Sequence, residues 1–278
     1  MSKTLAKIFR SRKNRLRHLL LLLFFPLSGC VTDAGLQRLV DEKAQKDHLA
    51  KLHTQLAVFH MERGQNGLAR ERLQWALTIK PDYPSAHNAL GSLHQRLHQL
   101  DKAEWHYRRA ILLNPSYSDA YNNLGVLLCV TGRETRAEEY FLKAIANPDY
   151  RQPALAMSNA GDCAYSAGDS RKAEIYLRRA LSFDAKYPGP LLTMAELSFS
   201  RGDALSAKGY IQRYTNFAAH TAQSLWLGLR IEKSLGNQDA VSSYALLLKT
   251  HHPGSREIRL LRELETSGEN PWENLTAP

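Results

Sequence analysis

The sequence predicts an all-α protein, a solenoid of about six helix-turn-helix repeats. Two observations lead to this fold class. Alanines recur at spacings of 34, 34, 36 and 34 residues, and the pairs Leu90-Gly91, Leu124-Gly125 and Ala160-Gly161 begin 13 residues before three of them. Proline also closes the first three units, at Pro81, Pro115 and Pro148. A generic helical bundle does not explain so sustained a period, which indicates a stack of repeats. The recurring alanines are Ala69, Ala103, Ala137, Ala173 and Ala207.

Each unit of this pattern resembles a tetratricopeptide repeat. Small residues let the two helices of a unit approach closely, and a large residue such as Tyr107 or Phe141 fills the space one turn away. Proline cannot continue a helix and therefore ends the unit. The resemblance implies a right-handed superhelix whose first helices line a concave face. The six units are expected at about 50–83, 84–117, 118–153, 154–187, 188–220 and 221–254.

A basic and then apolar leader precedes the repeats. Of the 37 lysines and arginines, 7 precede residue 18, where no acidic residue accompanies them. Without them the formal net charge falls from +10 to +3, which argues against binding to nucleic acid. The apolar run from Leu19 to Leu27 is too short to span a bilayer as a helix. Residues 1–29 are therefore interpreted as a cleaved secretory signal and not as a membrane anchor.

The leader ends at Leu27-Ser28-Gly29-Cys30, which resembles the bacterial lipobox. The resemblance implies that Cys30 becomes an acylated N-terminus carrying palmitate-like chains. Val31 stands where aspartate would resemble an inner-membrane retention signal, so the implied destination is the outer membrane, facing the periplasm. An unmodified cysteine beside an ordinary cleavage site is the alternative. Residues 30–49 are expected to form a polar, partly helical tether.

Two further cysteines, Cys129 and Cys163, lie in neighbouring repeats. An oxidising compartment would allow them to form a disulfide. Buried free thiols are nevertheless the expected state of both side chains.

No set of residues in the repeats indicates catalysis, a cofactor or a metal. His94 and His98 have an i, i+4 spacing, but no glutamate follows His94 and His98 falls in a turn. His53, His60 and His87 occupy positions that normally carry a packed ring, and we expect them to pack between helices. Phosphate-binding GxxxxGK, nucleophile-bearing GxSxG and redox CxxC motifs are missing from the sequence. The expected protein is therefore not an enzyme.

The concave face is the candidate binding site for a protein partner. The resemblance to the repeat family places its residues at the second, fifth, ninth and twelfth positions of each first helix. These residues mix apolar side chains with amides and lack the Lys and Arg with which chaperone-binding repeats clamp a C-terminal carboxylate. An amphipathic helix or an extended segment is the expected ligand. The residues predicted to bind it are Thr54, Val58, Met61, Asn88, Asn122, Val126, Cys129, Asp162 and Tyr165, and Asp119 and Glu196 occupy equivalent positions.

The combination of lipobox and repeats resembles the type IV pilus biogenesis/stability lipoproteins of the PilF/PilW family. The stretches that carry the resemblance are YNNLGVLLCVTGRETRAEEYFLKAIANPDY in the third unit and LWLGLRIEKSLGN in the sixth. The resemblance implies a pilotin, an outer-membrane lipoprotein that binds the pilus secretin subunit and supports its localisation and multimerisation, and hence twitching motility. Two alternatives stay open: an adaptor for peptidoglycan hydrolases or β-barrel insertion, and an enzyme or its regulatory subunit. Residues 255–278 are expected to form a capping helix and a polar tail.

Overall fold

The computed structural model describes residues 33–266, which form thirteen α-helices and no strand. The predicted all-α class is confirmed. Cys30, the predicted signal sequence and the predicted polar tail beyond residue 266 lie outside the described residues. The helices are α1 Asp33–Glu62, α2 Asn66–Ile79, α3 Pro84–Arg96, α4 Leu100–Leu113, α5 Ser118–Val130, α6 Glu134–Ala146, α7 Pro153–Ser166, α8 Ser170–Phe183, α9 Pro188–Ser200, α10 Ala204–Thr215, α11 Ala222–Ser234, α12 Gln238–His251 and α13 Arg256–Thr266.

The described residues divide into two units, residues 33–49 and residues 50–266. In the first unit, all of residues 33–49 lie within α1, whereas the sequence predicts only partial helix there. No glycine or proline interrupts residues 36–49, and pairs four residues apart support the helix. Lys46 Nζ lies 2.6 Å from Glu42 Oε1, and Gln37 Nε2 donates to Asp41 Oδ1 at 3.0 Å.

In the second unit the helices form antiparallel pairs whose spacing depends on one small residue. A Cβ added to Gly125 of α5 would lie 2.7 Å from the ring of Phe141 in α6. In the fifth pair, Ala195 takes the position of this glycine, and the buried residue packed with it is the smaller Ile211. The combined size of the two residues is therefore limited, since interiors are packed close to crystal density.

A tight turn joins the two helices of each pair. Five of these turns contain a glycine with a positive φ of 69° to 81°, a conformation that side chains with a Cβ disfavour. His98, with φ of 55°, occupies the same position between α3 and α4. The turn geometry is thus imposed by the pair, whatever residue occupies it. The glycines are Gly64, Gly132, Gly168, Gly202 and Gly236.

Successive pairs stack mainly through the second helix of one pair and the first helix of the next, and their first helices also contact one another. Helix α3 contacts α5, α5 contacts α7, α7 contacts α9, and α9 contacts α11. Within residues 33–266 no comparable contact joins the second helices of successive pairs. The first helices therefore line one common surface, which we call the inner face.

The two cysteines of the repeats are paired, so the expectation of free thiols is wrong. Cys129 of α5 and Cys163 of α7 form a disulfide with their Cα atoms 5.8 Å apart. Stacking of the first helices brings residues separated by 34 positions into bonding range. The disulfide fixes the third pair to the fourth at the inner face.

Helix α13 covers the end of the sixth pair. Its buried Ile258 and Leu261 pack with Leu225 and Leu229 of α11 and with Leu248 of α12. These contacts give the last pair the apolar neighbour that the other pairs receive from the next repeat. Over residues 33–266, no helix has the length and apolar composition that crossing a membrane requires.

Candidate partner-binding groove

The centre of the inner face is an amide ladder that crosses three first helices. Asn123 Nδ2 of α5 donates to Asn88 Oδ1 of α3 at 3.0 Å, and Asn159 Nδ2 of α7 donates to Asn122 Oδ1 of α5 at 2.9 Å. Asn122 Nδ2 also approaches Asn123 Oδ1 at 3.5 Å. The ladder continues to Tyr117, whose hydroxyl lies 3.5 Å from Asn88 Nδ2. Bonds within the protein thus engage both predicted groove amides.

The ladder changes the expected role of the predicted asparagines. Asn122 is only 4% exposed and therefore lies under the surface and not on it. Asn88 is half-buried and keeps part of its side chain at the surface. Asn122 acts in the stacking of the pairs, and a partner can contact Asn88 but not the Asn122 amide.

The next part of the inner face carries two half-buried carboxylates. Thr193 Oγ1 donates to Asp162 Oδ1 at 2.7 Å, and Ser158 Oγ approaches the other oxygen at 3.4 Å. Gln223 Nε2 donates to Glu196 Oε1 at 2.6 Å. Burial raises the pKa of both carboxyl groups, and the hydrogen bonds from neutral donors do not offset it. These groups are therefore partly desolvated charges.

Aromatic side chains adjoin these carboxylates. Burial raises the pKa of Tyr165, and the nearby carboxylate of Glu196 adds to the shift. The Arg230 guanidinium lies 4.8 Å from the centre of the Phe199 ring, a cation–π distance. Burial lowers the pKa of Arg230, while Tyr165 and Glu196 act in the opposite direction. This end of the groove combines charge with apolar ring surface.

Two of the three residues predicted in the first repeat are not surface residues. Thr54 is 7% exposed and its hydroxyl donates to the carbonyl of Ala50 at 2.8 Å. Met61 is 7% exposed and packs into the core with Ala89 and Leu93 of α3. Val58 is 40% exposed. Of these three residues, Val58 is therefore the one that a partner can contact.

Two residues predicted in the third repeat contribute to the core at the inner face. Val126 is half-buried and packs against the core cluster that contains Leu127 and Phe141. The Cys129 sulfur is committed to the bond with Cys163. Both residues thus shape the floor of the groove, and the thiol chemistry of Cys129 is not available.

Several residues of the inner face lie outside the second, fifth, ninth and twelfth helix positions from which the groove is predicted. Thr193 and Gln223 donate hydrogen bonds to the carboxylates from the neighbouring first helices, and Arg230 acts on Glu196 electrostatically. Tyrosines also precede first helices, at Tyr117 and Tyr187. A tyrosine at this recurring place in the repeat is a periodic signal from which the sequence could predict these two. The contacts of the other three depend on how adjacent pairs stack.

His87 and His94 pack as rings against His106 of α4. His87 Nδ1 lies 3.1 Å from His106 Nδ1, and the His94 ring stacks on His106 with centroids 5.3 Å apart. Burial, with His87 and His94 nearby, lowers the pKa of His106 to about 4. In the described part of the chain, no group of three or more His, Cys, Asp or Glu side chains is placed to hold a metal ion.

Comparison with known proteins places this geometry in a family. Tetratricopeptide-repeat profiles match residues 60–97, 84–117 and 116–186. The crystal structure of PilW, described as a widely conserved type IV pilus biogenesis factor, is 30% identical and superposes with a TM-score of 0.71 over 77% of this chain and 98% of that one. The chain belongs to the PilF/PilW-like family of type IV pilus tetratricopeptide-repeat proteins.

Other relatives agree with this PilF/PilW-like assignment. The type IV pilus assembly protein PilF of Pseudomonas aeruginosa is 28% identical over 241 residues, which cover 87% of this chain and 95% of PilF. A Pseudomonas aeruginosa PilF structure has a TM-score of 0.70 at 27% identity, over 78% of this chain and 98% of that one. The proteins that this PilF/PilW-like chain resembles are thus pilus assembly and biogenesis factors, non-enzymatic in kind.

Proposed function

We propose that this protein is an outer-membrane lipoprotein that binds the type IV pilus secretin subunit and supports its localisation and multimerisation. The observation that carries the proposal is the likeness to PilF and PilW, which covers nearly the full length of those proteins. The groove supports it, because a row of half-buried polar and aromatic side chains suits a peptide segment better than a small molecule. Pilus assembly and twitching motility depend on this step.

Tethering is the proposed mechanism. Acyl chains at Cys30 would contribute about 0.8 kcal/mol for each buried CH₂ group, so two or more chains hold the protein firmly on a membrane. A secretin subunit bound to the groove is then confined to the same surface as its neighbours. Confinement raises the effective concentration for multimerisation without any chemical step. Binding also protects strand edges of the unassembled secretin from aggregation.

A preorganised groove suits this role. The Cys129–Cys163 disulfide and the amide ladder both join successive first helices at the inner face. Ordering these side chains before a partner arrives lowers the entropic penalty of binding. A scaffold of this kind holds its partner by shape and hydrogen bonding.

Two single substitutions test the anchor. Cys30→Ala removes the acylated residue, and Val31→Asp keeps it but introduces the residue that resembles an inner-membrane retention signal. Both variants are expected to fold as the wild type does by circular dichroism and to leave few secretin multimers in the outer-membrane fraction. Normal outer-membrane multimers with Cys30→Ala would contradict the tether, and normal multimers and twitching in a deletion strain would contradict the secretin role altogether.

A further inference from the structure

Three carboxylates are distributed along the inner face of the third to fifth pairs. They belong to Asp119 of α5, Asp162 of α7 and Glu196 of α9. Burial is the largest cause acting on each, and it raises the pKa of all three. Within residues 33–266 none of them forms an ion pair with a lysine, arginine or histidine. The folded protein therefore maintains a row of partly desolvated negative charge.

Asp119 has the fewest partners of the three. It lines a cavity of about 270 Å³ between the start of α5 and residues 147–152, together with Tyr117 and Tyr150. The Tyr150 hydroxyl is buried and has no hydrogen-bond partner among the described residues. Arg151 lines the same cavity but is exposed and makes no ion pair with Asp119. A carboxylate without a charged partner thus lines this cavity, and the nearby Tyr150 hydroxyl lies buried with its hydrogen-bonding capacity unused.

Asp162 and Glu196 are hydrogen-bonded, but only to neutral donors. Thr193 donates a hydrogen bond to Asp162, and Gln223 donates one to Glu196. Arg230 acts on Glu196 from a distance while its guanidinium packs on Phe199, and burial still dominates the carboxyl group. Arg230 thus compensates the charge of Glu196 only in part, and no basic side chain of the described residues acts on Asp162.

The surroundings favour a cation on a long aliphatic stem. Next to the Asp119 cavity lies a second cavity of about 400 Å³, which shares Arg151 and Gln152 with it and is lined by Leu155, Phe183 and Tyr187. Lysine and arginine bury their methylene groups on such surfaces while the charged end reaches a carboxylate. An acidic ligand would be repelled, and a purely apolar one would leave the carboxylates desolvated and unpaired.

We propose that the inner face of α5, α7 and α9 binds an extended segment of the partner that carries at least two lysine or arginine side chains. One cationic side chain pairs with Asp119, and another pairs with Asp162 and Glu196. The identity of that partner as a secretin rests on the proposed function, whereas the basic character of its segment rests on the carboxylates. Charge complementarity of this kind sets specificity and association rate.

The test compares two triple variants of the full-length lipoprotein in detergent. The groove variant carries Asp119→Asn, Asp162→Asn and Glu196→Gln, which retain acceptor oxygens for Thr193 and Gln223. The control variant carries Glu71→Gln, Asp82→Asn and Glu139→Gln, three exposed residues with the same change in charge. The groove variant is expected to bind the purified secretin subunit at least about tenfold more weakly, with a shallower salt dependence, and the control variant to bind as the wild type does. Equal affinity and equal salt dependence of the two variants would overturn the proposal.

A probe that does not involve secretin separates the two proposals. A short fluorescent peptide with spaced arginines is compared with a twin in which citrulline replaces every arginine. The arginine peptide is expected to bind the wild type and the control variant and to lose binding to the groove variant, whether or not secretin binds. Failure of the wild type to distinguish the twins overturns the basic-segment proposal even if secretin binds normally.

Discussion

Gly91 and Tyr107 pack so closely that a methyl group does not fit between them. A Cβ added to Gly91 would lie 2.5 Å from both Cδ1 and Cε1 of the Tyr107 ring. The ring is 1% exposed, and its hydroxyl donates to Gln95 Oε1 at 2.9 Å. The ring therefore cannot move away without losing a hydrogen bond, and the spacing of α3 and α4 depends on the missing side chain.

Gly91→Ala is expected to lower the free energy of unfolding by about 1–3 kcal/mol, because the added methyl group overpacks a closed interface. Gly209→Ala is the matched control, since Gly209 lies inside α10 with no atom within 4 Å of an added Cβ. That substitution is expected to stabilise by about 0.5–1 kcal/mol through helix propensity alone. Thermal denaturation followed by circular dichroism measures both. If both substitutions changed the free energy of unfolding equally and in the same direction, the close approach of the Tyr107 ring would not be the reason that position 91 requires glycine.

His98→Gly is expected to stabilise the protein by about 0.5–1 kcal/mol. His98 is exposed and has a positive φ of 55°, where the other pairs have glycine. Glycine relieves the backbone strain, and its greater freedom in the unfolded chain offsets part of the gain. The reverse change, Gly132→Ala, is expected to destabilise. A lower melting temperature for His98→Gly would mean that the histidine ring makes a stabilising contact that exceeds the strain.

Loss of the disulfide is expected to lower stability by about 3–4 kcal/mol, the chain-entropy value for a closed loop of this size. Cys129 and Cys163 are separated by 34 residues. The comparison is the melting temperature of the wild type with and without reductant, and of the double variant Cys129→Ser, Cys163→Ser. The reductant should lower the wild-type value and leave the double variant unchanged. An effect of reductant on the double variant would indicate that it acts elsewhere.

The contribution of the groove carboxylates to the stability of the fold is expected to be larger at acidic pH than at neutral pH. Their folded-state pKa values lie above the ordinary values of 3.8 for Asp and 4.5 for Glu. The native state therefore holds these protons to a higher pH than the unfolded state does, and their contribution to stability decreases as pH rises from the ordinary values through the raised ones. Above that window the charged groups are a net penalty.

The triple variant Asp119→Asn, Asp162→Asn, Glu196→Gln removes this penalty. It is expected to melt at a higher temperature than the wild type at pH 7, and the difference should shrink as pH falls below the native pKa values. The exposed control triple should show no such convergence. If the groove variant is less stable than the wild type at pH 7, the carboxylates are compensated in a way that their contacts do not reveal. Higher stability together with weaker binding is the trade-off expected of a binding site.

The regular architecture follows from local chemistry and is therefore readable from the chain. The alanine period, the glycine facing a ring and the prolines that follow the second helices of the first three pairs all act between residues of one repeat or its immediate neighbour. Each has a steric reason that holds wherever the pair forms. The repeat period predicts that His98 lies in the turn between two helices, and it does so although glycine is the residue type that favours this conformation.

The environment of each groove residue depends instead on how successive helix pairs pack against one another. That packing decides whether Asn122 lies under the surface while Asn88 reaches it, and whether Cys129 meets Cys163. Desolvation of Asp119, Asp162 and Glu196 likewise arises from atoms supplied by neighbouring helices and loops far along the chain. How deeply a side chain is buried and which partner it contacts depend on atoms from distant parts of the chain. The sequence pattern can therefore assign a residue to one face of a helix but cannot predict its environment.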